Sequence, residues 1–163
     1  MHLARLTRPL RFLSLVPLTH VFGQIAAVFV PPVLGATVHF PPSLKTSEIV
    51  DSIRRQRIAV VVAVPRQLEL LRDAVERAWK AQGVLEARRS ALAAAESRPF
   101  WRRWWMFRDV HRRFGWRFLV LATGGATLAR DTEAFWRRLG FLVVQGYGMT
   151  ETAALITLVN PFK

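Results

Sequence analysis

The run IAVVVAV at 58–64 constrains this chain more than any other stretch. It holds no polar side chain, it is dominated by β-branched residues, and Pro65 follows at once. Branched side chains lose rotamer freedom in a helix and pack well on a pleated surface. A strand that alternates has a wet face. A continuous apolar strand has none, so it must be covered on both sides. Such strands belong to parallel sheets, whose neighbours are joined by crossover helices.

The rest of the chain reads as strands and helices in alternation, so the fold class is α/β: a mostly parallel sheet with covering helices. Residues 12–18 predict a buried strand. Residues 21–30 are apolar nearly all round and predict a buried helix that Pro31-Pro32 stop. Residues 36–40 predict a short strand, ended by Pro41-Pro42. Residues 46–56 predict a helix capped by Thr46 or Ser47, with Glu48 at its positive end and Arg54, Arg55 and Arg57 at its negative end. Pro65 opens a helix to about residue 80. Residues 81–97 are rich in alanine and arginine without a firm period, a helical or mobile insert. In 99–114, Phe100, Trp104, Phe107, His111 and Phe114 recur at helical spacing and share one face. Residues 117–122 predict a strand, 131–139 a helix stopped by Gly140, and 141–145 another strand. Three stretches follow: a first α/β segment over 12–80, an arginine- and tryptophan-rich helical insert over 81–116, and a last segment over 117–163.

A chain of 163 residues that is 52% hydrophobic has enough apolar surface for one core and is not a disordered tail. It has no cysteine, which excludes a disulfide framework and thiol chemistry. That absence fits a reducing compartment, and the expected location is the cytoplasm. From Phe12 to Leu44 there is no charged residue, a length that could span a bilayer, but His20, Gln24 and the paired prolines argue for a core instead. Arg5, Arg8 and Arg11 ahead of an apolar run mimic a targeting segment, yet Pro17 and His20 interrupt it.

In parallel sheets, ligands bind in loops beyond the carboxyl ends of strands. Two loops qualify. The first, ATGGATLARDT at 122–132, lets backbone approach a ligand at Gly124 and Gly125, though a tight turn would read the same. It has neither the Walker nor the dinucleotide glycine spacing. The second, GYGMTET at 146–152, offers Tyr147 for stacking, Thr150 and Thr152 hydroxyls for phosphate oxygens, and Glu151 as a hard oxygen donor for Mg²⁺. Residue chemistry alone leaves this loop level with a polar turn after a strand.

The run RFLVLATGGATLARDTEAFWRRLGFLVVQGYGMTETAALITLVNP over 117–161 resembles the adenylate-forming, AMP-binding superfamily, in particular its long-chain fatty acid–CoA ligases. FLSLVPLTHVFGQ over 12–24 resembles that family's leucine-proline-leucine-serine-histidine segment, in the right order and at a fitting separation. The likeness is weak between 82 and 113. It implies part of the large N-terminal region of a two-step ligase. A fatty acid carboxylate attacks the α-phosphate of Mg·ATP, giving an acyl-adenylate and pyrophosphate, and the thiol of CoA, the co-substrate, then displaces AMP. The resemblance implies that Tyr147 stacks on adenine, Thr150 touches phosphate and Glu151 holds Mg²⁺. It places Gly124, Gly125, Ala126, Gly146 and Gly148 along the adenine and acyl site. Gly146 also faces the substrate carboxyl, and His20 sits beside the acyl pocket; a buried structural histidine is the competing account of His20. The family's phosphate loop is expected ahead of Phe12 and is not found. Its ribose-holding aspartate and its lysine-bearing domain are expected beyond Lys163. Adenylyl transfer relies on positioning and charge stabilisation, so the chain alone is expected to show no useful turnover.

Net charge is +13, and Lys45, Lys80 and Lys163 are the only lysines. An arginine-rich composition accounts for this more economically than a polyanion partner. The charge concentrates in 98–117, where Asp109 is the lone acid among arginines, with Trp101, Trp104, Trp105 and Trp116 beside them. A basic helix rich in tryptophan suits a membrane interface, and arginine with aromatics suits single-stranded nucleic acid. The order of expectation is a helix packed on the sheet, then membrane contact, then nucleic acid. A non-catalytic basic module that binds such surfaces is the rival to the ligase. No hydrolase elbow and no metal-ligand histidine spacing is present.

Overall fold

A computed structural model describes residues 9–147 and 157–158. Five parallel strands carry the architecture: β1 (Arg11–Ser14), β2 (Thr37–His39), β3 (Val60–Ala63), β4 (Val120–Thr123) and β5 (Leu142–Tyr147). The order across the sheet is β2-β1-β3-β4-β5, and a short β6 (Thr157–Leu158) adds antiparallel to β5. The 58–64 run supplies β3, buried along its whole length and flanked by β1 and β4. It is the strand that the absence of any polar residue requires to be central.

The chain turns one way from β1 to β2 and the other way from β2 onward. Crossovers of one hand running in opposite directions put their helices on opposite faces. On one face lie α3 (Thr46–Arg55), α4 (Pro65–Ala81), α5 (Leu85–Ala95), α7 (Arg108–Phe114) and α8 (Arg130–Arg138). Their apolar residues meet Leu13, Leu15, Val61, Leu121 and Val143 in the main core. Trp79, Phe107, Phe114, Phe135, Trp136 and Phe141 fill it with tilted and edge-on ring pairs. The other face holds Phe12, Val60 and Val62, covered by Ala26 and Phe22.

That second cover differs from the sequence expectation. The helix does not stop at Pro31-Pro32. It runs as α1 (Val21–Gln24), a π-helical turn (Ile25–Phe29) and α2 (Val30–Val33), with both prolines in the first turn of α2. The wider turn restarts the hydrogen-bond register, and prolines at the start of a helix have no partner to lose. Nor is this helix buried all round, since Phe29 and Val33 are 63% and 86% exposed.

The N-cap of α3 is Lys45, not Thr46 or Ser47, and Ser43 Oγ accepts the Lys45 N–H. The 99–114 stretch is two helices, α6 (Phe100–Met106) and α7, broken at Phe107. The break drives Phe107 into the core against Trp79, while Phe100 stays exposed. Beyond the break His111 is buried, its ring stacked on Phe141 at 4.4 Å between centroids, its Nε2–H donating to the Leu139 carbonyl at 2.9 Å. No helix among the described residues is long and apolar enough to cross a membrane.

Candidate functional site

All five parallel strands end on the same side of the sheet, and the candidate residues among the described ones lie there. Thr123 pairs with Gln145, so Gly124 and Gly146 emerge from adjacent strands one residue beyond that pair. Parallel neighbours lie about 4.8 Å apart, and the two glycine-bearing segments start within one strand spacing. Gly125 sits at φ +82, in the left-handed region that glycine tolerates. Gly125 and Ala126 are exposed. Tyr147 is the last residue of β5. Gly148, Thr150, Glu151 and Thr152 lie outside the described residues.

His20 comes to the same end by another route. The 15–20 segment leaves β1, turns at Pro17 with the His20 N–H on the Pro17 carbonyl at 3.1 Å, and enters α1 with His20 as its N-cap. The side chain is exposed, which overturns the account of His20 as a buried structural histidine. Two residues on, the Phe22 ring lies against Gly124, where a Cβ would come within 2.6 Å of it. Phe22 thus seats the start of α1 on the loop after β4. On the other side of α1, a Cβ at Gly23 would meet the Pro17 carbonyl oxygen at 2.4 Å. The helix is wedged between two backbone segments, and only glycine allows the Pro17 side.

Sequence reasoning missed two supports. Gln67, in the first turn of α4, accepts the Val64 N–H on Oε1 at 3.1 Å and donates from Nε2 to the Leu15 carbonyl at 3.0 Å. One amide therefore clips together the carboxyl ends of β1 and β3. Glutamine three residues after a helix cap is the signal that could have found it. Phe22 left no signal, because an aromatic in an apolar run reads as core. Below the 123–130 loop, Arg72 of α4 donates to Asp131 at 2.6 Å and to Thr132 Oγ1 at 3.2 Å. That hydrogen bond, with the guanidinium charge, holds the Asp131 carboxyl below the usual carboxylate range and ties α8 to α4.

The arrangement can do one kind of chemistry. Gly125 is exposed just beyond β4, Gly146 is half-buried near the end of the neighbouring β5, and Gly124 lies buried under the Phe22 ring, so glycine backbone from two adjacent strands meets at the carboxyl edge of the sheet, where parallel sheets bind ligands. The order 2-1-3-4-5 reverses direction between β1 and β3, and in open parallel sheets ligands bind beyond the carboxyl ends of the strands at such a point. The His20 segment and Gln67 stand at it. No group of three or more metal-capable side chains is found among the described residues. A metal held largely by phosphate oxygens needs only one or two carboxylates.

The family model described as AMP-binding enzyme matches residues 2–163. A peroxisomal long chain acyl-CoA synthetase 7 of Arabidopsis thaliana is 26% identical over 91% of this chain. A long-chain-fatty-acid–CoA ligase of Gallus gallus is 25% identical over 91% of it. The chain spans 22% of the length of each of these curated relatives. The solved o-succinylbenzoate CoA synthetase of Bacillus subtilis, in complex with the acyl-adenylate intermediate OSB-AMP, superposes with a TM-score of 0.63. It is 23% identical, and the match covers 97% of this chain and 25% of that one. The fold is that of the N-terminal region of adenylate-forming enzymes.

Proposed function

Because this chain belongs to the AMP-binding enzyme family, we propose that it forms the adenine- and acyl-facing part of an ATP-dependent acyl-CoA ligase whose acid substrate is a fatty acid. The observation that carries the reading is the adjacency of Gly124 and Gly146 at the ends of β4 and β5. In this reading, residues 12–80 supply the His20 side of the acyl pocket and 117–163 the adenine side. The backbone of Gly124, Gly125 and Ala126 lies along the nucleotide, Tyr147 stacks on the base, and Gly148 lets the chain pass close to it. Gly146 faces the carboxyl that attacks the α-phosphate. Thr150 would donate its hydroxyl to phosphate, and Glu151 would hold Mg²⁺, which would offset charge on the phosphates. Relatives named as long-chain acyl-CoA synthetases support the fatty acid, and CoA as the second substrate. The chain corresponds to 22% of those relatives' length, so the two-step reaction is proposed for a protein of their length and nucleotide binding for this chain.

Calorimetric titration of Mg·ATP into the 163-residue chain tests the reading. Saturable binding that Tyr147→Ala weakens at least tenfold, and that Glu151→Gln weakens only when Mg²⁺ is present, is expected. A chain of net charge +13 will also attract ATP by charge alone. Heat that vanishes with added salt and is the same in both variants marks that attraction and overturns the proposal.

A further inference from the structure

The aromatic–arginine surface lies at the opposite end of the sheet from the glycine loops. Gly140, just ahead of β5, sits so close to α6 that a Cβ there would meet the Trp104 backbone nitrogen at 2.9 Å. Gly115, ahead of β4, packs on Arg54 near the end of α3, which leads into β3. Helix α6, Trp116 and Arg54 therefore gather at the amino ends of β3, β4 and β5.

Helix α6 has no buried residue. Trp101 and Trp105, one helical turn apart, are 59% and 60% exposed. The Trp105 ring meets Trp104 edge-on at 6.0 Å, and Trp104 meets Trp116 at 5.0 Å. Trp104 also packs on His111 at 5.3 Å, which fixes this ridge of rings to the core. Beside Trp116 opens a cleft of about 390 Å³ lined by Arg54, Arg57, Arg112 and Arg117. Arg57 has φ +51, a left-handed conformation just past α3 where glycine is usual. A residue with a Cβ is disfavoured there, so the fold carries a guanidinium at a position whose backbone favours glycine. Among the described residues Arg57, Arg112 and Arg117 have no acidic partner, and Arg54 has only the exposed Asp51 at 3.7 Å. Nearby acids are taken: Asp109 pairs with Arg88 at 2.9 Å and Glu96 with Arg138 at 2.7 Å.

We propose that this face docks on an anionic lipid bilayer, with phosphate headgroups in the arginine cleft and Trp101 and Trp105 in the interface. Uncompensated arginine beside fixed, exposed tryptophan matches both layers of such a surface, charge outside and apolar below. Single-stranded nucleic acid fits less well, because it needs ring faces free to take bases. Here Trp104 lies between Trp105 and Trp116, and the Arg102 guanidinium covers Trp101 at 5.0 Å. The proposal uses none of the residues assigned to nucleotide or acid, and stands or falls apart from them.

The test is co-sedimentation of the 163-residue chain with phosphatidylcholine vesicles, with and without phosphatidylglycerol, together with quenching of tryptophan emission by brominated lipid. Binding is expected only with phosphatidylglycerol present and is expected to weaken with salt. Arg112→Gln with Arg117→Gln should weaken partitioning about 30-fold, at roughly 1 kcal/mol per arginine near the surface. Trp101→Ser with Trp105→Ser should remove most of the quenching; both residues are exposed, and an unchanged circular dichroism spectrum shows that the fold survives. Arg66→Gln, at the other end of the sheet, should bind as the parent does. Equal binding to neutral vesicles overturns the proposal. So does binding that neither double variant changes, or tighter binding of a single-stranded oligonucleotide with the same arginine dependence.

Discussion

The Phe22 ring closes over Gly124 with no room for a methyl group between them, 2.6 Å from where a Cβ would stand. One residue comes from the helix after β1 and the other from the loop after β4, and β3 lies between those strands. This contact therefore bridges the ends of three strands and fixes the start of α1 relative to the glycine loop.

Gly124→Ala should force the ring aside and destabilise the chain by about 1–3 kcal/mol, the usual cost of overpacking. Phe22→Leu in the same chain should recover most of that loss. Urea unfolding of both single variants and the double variant gives the coupling. Strictly additive losses would show that the two residues do not share the space.

Gln67 is expected to matter more than its polar, half-buried side chain suggests. Gln67→Leu leaves the Val64 N–H and the Leu15 carbonyl without their partner, at a cost of about 1–3 kcal/mol. The measurement is again the unfolding midpoint. A loss no larger than that of an ordinary surface substitution would mean that water replaces the amide on both groups.

His111 predicts a pH dependence. Burial pushes its pKa below the ordinary histidine value, against the smaller opposing pull of the Leu139 carbonyl and of Asp109. The unfolded chain takes up a proton near pH 6.5, and the folded chain does not. More protons are then bound by the unfolded state, so stability is full above that pH and declines as pH falls below it. The limiting slope for one proton is about 1.4 kcal/mol per pH unit. In His111→Gln, which keeps a donor for Leu139, unfolding measured between pH 5 and pH 7 (about the span of histidine titration) should lose that slope. An identical slope in the variant would assign the effect elsewhere.

How far these features were legible depends on whether their cause is local. Strand β3 was legible because seven apolar residues without alternation permit one environment only. The helix over Pro65–Ala81 was legible from a proline at its first position. The pair Pro31-Pro32 misled because proline breaks a helix from within but is harmless at a start, and the π-turn before it, which creates that start, has no signature in the residues. The break at Phe107 was illegible for a similar reason. Helical spacing from Phe100 to Phe114 is regular, and the contact that Phe107 makes at the break is with Trp79, on another helix far off in the chain. At the site, the glycines could be picked out as loop residues, but their adjacency depends on strand order. The Phe22 and Gln67 contacts span 102 and 52 residues of sequence, counted from Phe22 to Gly124 and from Leu15 to Gln67.

The strand order also bears on the order of assembly. The pairing of Val120 with Leu142 closes a short loop, and so does that of Arg11 with Thr37. The pairings of β3, Phe12 with Val60 and Val60 with Val120, enclose loops about twice as long or more. Closing a longer loop surrenders more chain entropy before any contact repays it. The two halves of the sheet can therefore ripen separately, one at each end of the chain. Strand β3 is the keystone that turns two half-sheets into one, and until it is in place the carboxyl-end glycine loops and the amino-end arginine cleft have no common frame.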